Sequence, residues 1–236
     1  MNHTRVPLLL LLPLLAASGA CARTADRTAG PAGPVSPVPA SPAADAERPA
    51  SPPAGVVVAP VSYRVTYGWG VPSTTVQVTH DTPVPTAPPA SSLPYLVSIT
   101  AGDHPEGNPA YARISFTFRG GFPSYRFGYV REVLSQGRGD RVPLTGNGFL
   151  EVVFVGAQTH DDAGRTTIRR APAPRLDIGS LVSYGFGGDY EGYVSYGLGV
   201  LAAPNSDQVL RIRTGELVRG AGANGEYVVH VDVERA

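Results

Sequence analysis

Histidine and aspartate residues that stand side by side are the first candidates for chemistry in this sequence. The segment Thr159–Asp162 places one imidazole beside two carboxylates, and Asp103–His104 is a second such pair. Groups of these types could bind a metal ion or exchange protons with a substrate. However, adjacent residues on a strand point to opposite faces, and Asp-Asp-Ala-Gly is ordinary turn sequence. We therefore predict that His160, Asp161 and Asp162 form a turn, and we predict no metal site, no catalytic residue and no cofactor.

Serine, lysine and glycine motifs give no signature of a reaction. The sequence has no Gly-x-Ser-x-Gly elbow, and its histidines are scattered. It also has no lysine, which excludes a Walker-type phosphate loop and a Schiff-base amine. Gly185–Gly192 is rich in glycine but leads into a strand-like alternation instead of a helix. We predict a turn and close sheet packing there.

Arginine and aromatic residues interleave between residues 113 and 131 and could form a binding face. Guanidinium groups hold carboxylates bidentately, and aromatic rings cover the C–H faces of sugars, so such a face suits an acidic carbohydrate polymer. The candidate residues are Arg113, Arg119, Arg126, Tyr125 and Tyr129. In the alternative interpretation the tyrosines form a core row, the arginines form a solvated face, and Arg113 is a buried structural partner.

Strands are the elements that must position these residues. From residue 95 onward, β-branched and aromatic runs are separated by glycine, asparagine and aspartate. The predicted strands are Tyr95–Ala101, Tyr111–Arg119, Tyr125–Glu132, Phe149–Ala157, Leu176–Tyr184, Tyr193–Leu201, Val209–Thr214 and Tyr227–Arg235. Apolar and polar residues alternate along them, which predicts an all-β antiparallel sandwich of about eight strands. Between the last two strands, Arg211 and Arg213 could pair with Asp232 and Glu234.

The N-terminus carries an export signal. One arginine precedes an apolar run, Val6–Ala17, that is too short for a stop-transfer helix. Cys21, the single cysteine, follows Ser-Gly-Ala at the position where a lipoprotein signal places its lipid-bearing thiol. Ser18 stands where that pattern usually has an aliphatic residue, and ordinary cleavage after Ala20 or Ala22 fits as well. We predict lipidation of Cys21 and a location on the outer face of the cell membrane.

Composition divides the chain into four parts. Residues 1–21 are the predicted lipoprotein-like signal peptide, and 22–60 are a disordered tether rich in proline and alanine. Residues 61–94 are predicted to be an irregular lead-in, and 95–236 the sandwich domain. The 19 basic and 19 acidic residues give a net charge of zero, which argues against nucleic-acid binding. A single cysteine excludes an internal disulfide.

Seven sequence motifs, taken in their order along the chain, bear on the family of the predicted sandwich domain. They are Val97–His104, Tyr111–Phe118, Gly120–Val130, Val142–Gly146, Phe149–Phe154, Tyr190–Gly199 and Tyr227–Val233. Together they resemble the AMIN-like domain of actinobacterial secreted proteins and lipoproteins, over residues 95 to 236. The sequence departs from that family after Asp103, where the family usually continues directly into Phe-Asp-Arg and only Arg113 keeps its place here.

The resemblance implies a β-sandwich related to the AMIN domain. That module is attached to cell-wall amidases and pilus-secretion proteins and is thought to dock on peptidoglycan. We therefore predict a secreted, non-enzymatic envelope protein that binds peptidoglycan or another wall glycan and is held at the membrane by its lipid. The alternatives are a protein-interaction or ligand-carrier module of an envelope assembly, and a cell-wall hydrolase. The hydrolase would need His160 or His104 to meet a carboxylate or serine in a cleft.

Overall fold

The computed structural model describes residues 61–82, 93–202, 209–220 and 222–236, in which the chain is almost entirely strand. The strands are β1 (Val61–Gly70), β2 (Val76–Val78), β3 (Tyr95–His104), β4 (Tyr111–Arg119), β5 (Ser124–Val130), β6 (Gly148–Val155), β7 (Arg175–Ile178), β8 (Leu181–Tyr190), β9 (Tyr193–Val200), β10 (Ile212–Arg219) and β11 (Glu226–Glu234). One 3-10 turn spans Gly222–Asn224. This part of the chain includes no helix with the length and hydropathy to cross a membrane. The predicted signal peptide, Cys21 and the tether lie outside it.

The strands form two antiparallel sheets that pack face to face. Sheet I has the order β1-β10-β11-β4-β3, and sheet II has the order β2-β5-β6-β9-β8-β7. Alternate residues of each strand enter a shared core, where Phe116 and Phe118 of sheet I pack on Phe154 of sheet II with ring centroids 5.0 and 4.8 Å apart. The predicted all-β antiparallel sandwich is confirmed.

One predicted strand is wrong, because the chain reverses direction inside it. Leu176–Tyr184 is split into β7 and β8 at Gly179, which has a positive φ of 52°. The glycine-rich stretch that follows is mostly strand, and its turn is confined to the end of β8. Close sheet packing is confirmed there, since a Cβ at Gly185 would lie 2.6 Å from Val142 Cγ1. Glycine therefore lets the chain around Val142 lie directly on sheet II.

The described part of the predicted irregular lead-in, residues 61–82, belongs to the sandwich. β1 pairs antiparallel with β10, from Val61 opposite Arg219 to Gly70 opposite Ile212, with two register shifts. β2 pairs with β5. The predicted Val209–Thr214 strand is shifted: β10 begins only at Ile212 and continues to Arg219, where β1 and β11 pair with it on its two sides. Both sheets therefore take an edge strand from this segment.

A buried carboxylate ties the segment to both sheets. Glu216 of β10 is only 3% exposed and lies on the inner side of sheet I. Arg64 Nη2 donates to its Oε2 at 2.7 Å, and the Tyr125 hydroxyl donates to its Oε1 at 3.1 Å. His80 Nε2 lies 2.8 Å from the same Oε1. Because a buried carboxylate needs such partners, this network joins β1, β5, β10 and the chain after β2.

We expect Glu216→Ala to lower the free energy of unfolding by about 2 kcal/mol or more, because His80 and the buried Tyr125 hydroxyl lose their acceptor. The matched control is Glu132→Ala, which breaks a 3.1 Å pair with Arg141 whose side chains are 42% and 67% exposed. That change should cost at most about 0.5 kcal/mol. Urea denaturation of the full chain measures both. Equal losses would contradict the role of Glu216.

Candidate functional site

The outer face of sheet I holds a polar groove of about 380 Å³. It crosses β3, β4, β11 and β10, whose outward side chains are mostly polar because the alternate residues fill the core. Hydroxyl groups of paired strands form its floor, with Thr100 opposite Ser115 and Ser98 opposite Thr117. Its charged and imidazole groups are Arg113, Arg170, Arg219, Glu226, His104 and His230. The groove therefore combines hydroxyls with an excess of guanidinium groups.

Two arginines at one end of the groove are fixed by one buried aspartate. Strand register places Arg113 and Arg213 on either side of Asp232, which is 0% exposed. Arg113 donates from Nε to Oδ1 at 2.6 Å and from Nη2 to Oδ2 at 3.0 Å. Arg213 donates from Nε and Nη2 to Oδ2 at 2.8 and 2.6 Å. Two guanidinium groups share one carboxylate, so this cluster keeps a net positive charge in a fixed position.

Arg113 is a structural partner as well as a groove residue. Burial alone would lower the pKa of its guanidinium, but the hydrogen bond and the charge of Asp232 raise that pKa above its ordinary value. The predicted pairing of Arg213 with Asp232 is confirmed, as is the pairing of Arg211 with Glu234, where Nε donates to Oε2 at 2.8 Å. Cross-strand ion pairs thus organise this end of sheet I.

Aromatic rings flank the two arginines. Arg213 Cζ lies 4.8 Å from the Trp69 ring centroid and 5.0 Å from that of Tyr111. His104 also stacks on Tyr111, with ring centroids 4.6 Å apart. All three rings are half-buried, so each keeps some surface open to a ligand. We call Trp69, Tyr111 and His104 the aromatic platform.

His230 lies in the middle of the face and is almost fully covered, at 2% exposure. Tyr63 stacks on its ring with centroids 5.5 Å apart. Gly215 makes room beneath, because a Cβ there would lie 2.7 Å from His230 Nε2. Burial, followed by the charge of Arg113, lowers the pKa of His230 to about 4. The imidazole is therefore neutral near pH 7.

The predicted binding residues do not form one site. Arg113 and Arg119 do lie on the outer face of sheet I, where Arg119 Nη2 is 3.6 Å from Glu226 Oε1. Arg126 lies on the outer face of sheet II, opposite Gln77. The binding hypothesis is wrong in this respect, because β5 belongs to the opposite sheet and is not a neighbour of β4.

The two candidate tyrosines belong to the core. Tyr125 is 1% exposed, so its predicted stacking on a sugar is wrong. Tyr129 packs against the core from the inner side of sheet II and donates its hydroxyl to the Leu210 carbonyl at 2.8 Å. Burial raises the pKa of both phenols. The alternative interpretation of a tyrosine core row is the one that the structure bears out.

The His-Asp-Asp motif forms a turn, as predicted. Asp161 Oδ1 accepts the backbone N–H groups of Ala163 and Arg165 at 3.0 and 2.9 Å. The backbone hydrogen bond from Arg165 is the main reason why the pKa of Asp161 lies below its ordinary value. His160 Nε2 lies 3.6 Å from Asp189 Oδ2 beside a second cavity. Within residues 61–82, 93–202, 209–220 and 222–236, no three His, Cys, Asp or Glu side chains are grouped to hold a metal ion.

Trp69 and Tyr111 of the aromatic platform were not among the predicted site residues, and neither were Tyr63, His230, Arg170 and Arg219; His104 was predicted only as a possible catalytic group. Trp69 is the single tryptophan and lies in a strand-like run, which was the one available signal. The remaining residues come together through the pairing of β1 with β10 and of β3 with β4, and through the chain that runs beside β3.

We expect His230→Gln to flatten the pH dependence of stability between about pH 6.5 and 4. The pKa of His230 falls from 6.5 to about 4 on folding, so the unfolded chain binds the proton first. The stability of the parent therefore declines as pH falls through this window, by up to about 3 kcal/mol from this group. Urea denaturation at a series of pH values measures the difference. Identical pH slopes in parent and variant would contradict the account.

Comparison with known proteins identifies the fold family. A family model for the AMIN-like domain matches residues 94–218, which take in β3 to all but the last residue of β10. No curated protein and no solved structure matches the chain. AMIN-like domains are associated with cell-envelope proteins and are generally non-catalytic binding modules. On the match over residues 94–218, the chain belongs to the AMIN-like domain family.

Proposed function

We propose that the protein is exported, is held at the outer face of the cell membrane through a lipid on Cys21, and binds peptidoglycan or another acidic wall glycan without catalysis. The binding surface is the outer face of sheet I. The observation that supports this most strongly is the polar groove, where Asp232 fixes Arg113 and Arg213 beside the aromatic platform.

Charge on this face favours an acidic ligand. The groove and its borders carry more guanidinium groups than carboxylates, although the whole chain has a net charge of zero. The arginines are Arg113, Arg119, Arg170, Arg213 and Arg219, and the carboxylates are Asp232 and Glu226. Local positive charge attracts a carboxylate-bearing polymer and raises its rate of association.

The other groups of the face suit a sugar. The hydroxyls of Ser98, Thr100, Ser115 and Thr117 can each donate and accept hydrogen bonds, as sugar hydroxyls also do. The aromatic platform offers partly open rings for the C–H face of a pyranose. A volume of about 380 Å³ falls within the usual range of ligand sites, which is about 300–1,000 Å³.

A protein-interaction module is the second candidate. β1 is an edge strand of sheet I, and its outward residues Val61, Tyr63 and Val65 are 63%, 51% and 47% exposed. An exposed strand edge with apolar side chains can pair with a strand of another protein. Sacculi freed of protein separate the two candidates, because binding to them requires recognition of the glycan or its peptides.

We expect the full chain to co-sediment with protein-free sacculi. The double variant Arg170→Ala/Arg219→Ala should bind about tenfold more weakly, because each lost charged contact costs roughly 0.5–1 kcal/mol. Both arginines are exposed, so the fold should not change. The matched control is Arg126→Ala/Arg138→Ala, which removes the same charge away from the groove. We expect it to bind as the parent does.

Two results would contradict this proposal. Equal binding by the two double variants would show that the groove is not the binding surface. Release of soluble wall fragments from the sacculi would instead support the hydrolase, for which His160 and Asp189 beside the second cavity are one candidate acid–base pair.

We expect Cys21→Ser to move the protein from the membrane fraction to the medium, because the serine hydroxyl cannot take the thioether-linked lipid. Ser18→Leu is the matched control. It keeps the thiol and restores the usual aliphatic residue of the signal, so membrane retention should be unchanged or higher. Fractionation and immunoblotting measure the distribution. Equal membrane retention of Cys21→Ser and the parent would refute lipidation.

A further inference from the structure

A second cavity of about 370 Å³ lies beside β3, where the chain after β6 covers the edge of sheet I. Gln158 holds this covering segment in place through its backbone. Its N–H donates to the Pro94 carbonyl at 3.0 Å, and its carbonyl accepts the N–H of Leu96 at 2.9 Å. The cavity is lined by Tyr95, Val97, Gln158, Asp162, Thr166 and Arg169, among other residues.

The side chain of Gln158 is the unusual feature of this cavity. The residue is 8% exposed, and it lines the cavity. The part of the chain that the structure describes supplies hydrogen-bond partners for its backbone but none for its carboxamide. The carboxamide is not among the fully buried side-chain groups that lack a partner in the described residues, so its polar atoms are open to the cavity and available to a ligand.

The chemistry of the cavity points to an amide. A carboxamide presents a donor and an acceptor side by side, which complements the N–H and C=O of another amide. Val97 and Tyr95 add apolar surface for a methyl group, and Thr166 is an exposed residue of the lining. An acetamido group has both of these parts, and so does an alanyl peptide bond.

The cavity adjoins the polar groove. Val97 and Arg169 line the cavity, while the next residues along the chain, Ser98 and Arg170, line the groove. The backbone hydrogen bonds from Arg169 N–H to Val97 O and from Ile99 N–H to the Arg170 carbonyl, at 2.9 and 2.8 Å, fix the wall between them. A ligand that carries an amide and a carboxylate can therefore reach both.

We infer that this cavity is an amide-binding subsite in which Gln158 hydrogen-bonds the acetamido group of an amino sugar or a peptide amide, next to carboxylate binding in the groove. The inference rests on the proposed function for the origin of the ligand, but the subsite itself can be tested without the wall.

The test uses the full chain and three small probes in NMR titrations. They are N-acetylglucosamine, glucosamine as the same sugar without the amide, and N-acetylalanine methylamide as the peptide amide. We expect Gln158 to respond to at least one amide probe and not to glucosamine. The stronger of the two amide probes identifies the source of the amide. Gln158→Leu should weaken that probe about tenfold, because paired hydrogen bonds are lost. Gln77→Leu, on the opposite sheet, is the matched control and should bind as the parent does.

Gln158 is buried, so thermal unfolding of Gln158→Leu is measured first. If that variant does not fold, Thr166→Trp serves instead, because it places a bulky ring in the cavity lining from an exposed position. Absence of binding by both amide probes, or unchanged binding by the variants, overturns the inference. Amide binding without sedimentation on sacculi would refute the proposed function and leave the subsite standing. Sedimentation on sacculi without amide binding would refute the subsite and leave the proposed function standing.

Discussion

The buried carboxylate of Glu216 is the constraint on which the arrangement of this protein depends. A carboxylate at 3% exposure must find donors, and it finds them in Arg64, His80 and Tyr125. Those donors come from three different stretches of chain, so the segment 61–82 cannot leave the sandwich without leaving the charge unsatisfied. The bond from Arg64 to Glu216 holds β1 against β10 on the inner side of sheet I. The outward side chains of β1 therefore cover the outer face of the neighbouring strands.

The outer face of sheet I follows from that placement. Once β1 is paired, Tyr63 lies over His230 and Trp69 lies over Arg213. Asp232 is buried on the same face and is satisfied by two arginines, which holds their positive charge in place. In the proposed function, the groups that stabilise this face are also the groups that bind the ligand. The groove presents rigid charges and half-open rings, so little conformational entropy is lost when a ligand binds.

Local pattern predicted much of the fold but could not predict which strands would be neighbours. Period-two alternation placed Arg113 and Arg119 outward. It also allowed Arg211 and Arg213 to pair with Asp232 and Glu234, but the register that sets Arg213 opposite Asp232 comes from the structure. The prediction that Arg126 shares a face with Arg113 and Arg119 is wrong, because β5 belongs to the other sheet. Sheet membership depends on pairing between strands far apart in sequence. Gly179 turned a predicted strand into a hairpin. Within the described residues the Gln158 carboxamide has no hydrogen-bond partner, and this is a property of three-dimensional packing that has no sequence signal.

Chemical-shift mapping with soluble, protein-free peptidoglycan fragments tests the central claim most directly. The claim is that the outer face of sheet I, completed by β1, binds the wall. In the isotope-labelled full chain, the account predicts shifts for amides along the groove, such as those of Thr100, Ser115 and Leu217, together with the Trp69 indole N–H. The amides of Gln77 and Arg126 on sheet II should not move. Shifts centred on sheet II, or none in the groove at saturating fragment, would contradict it.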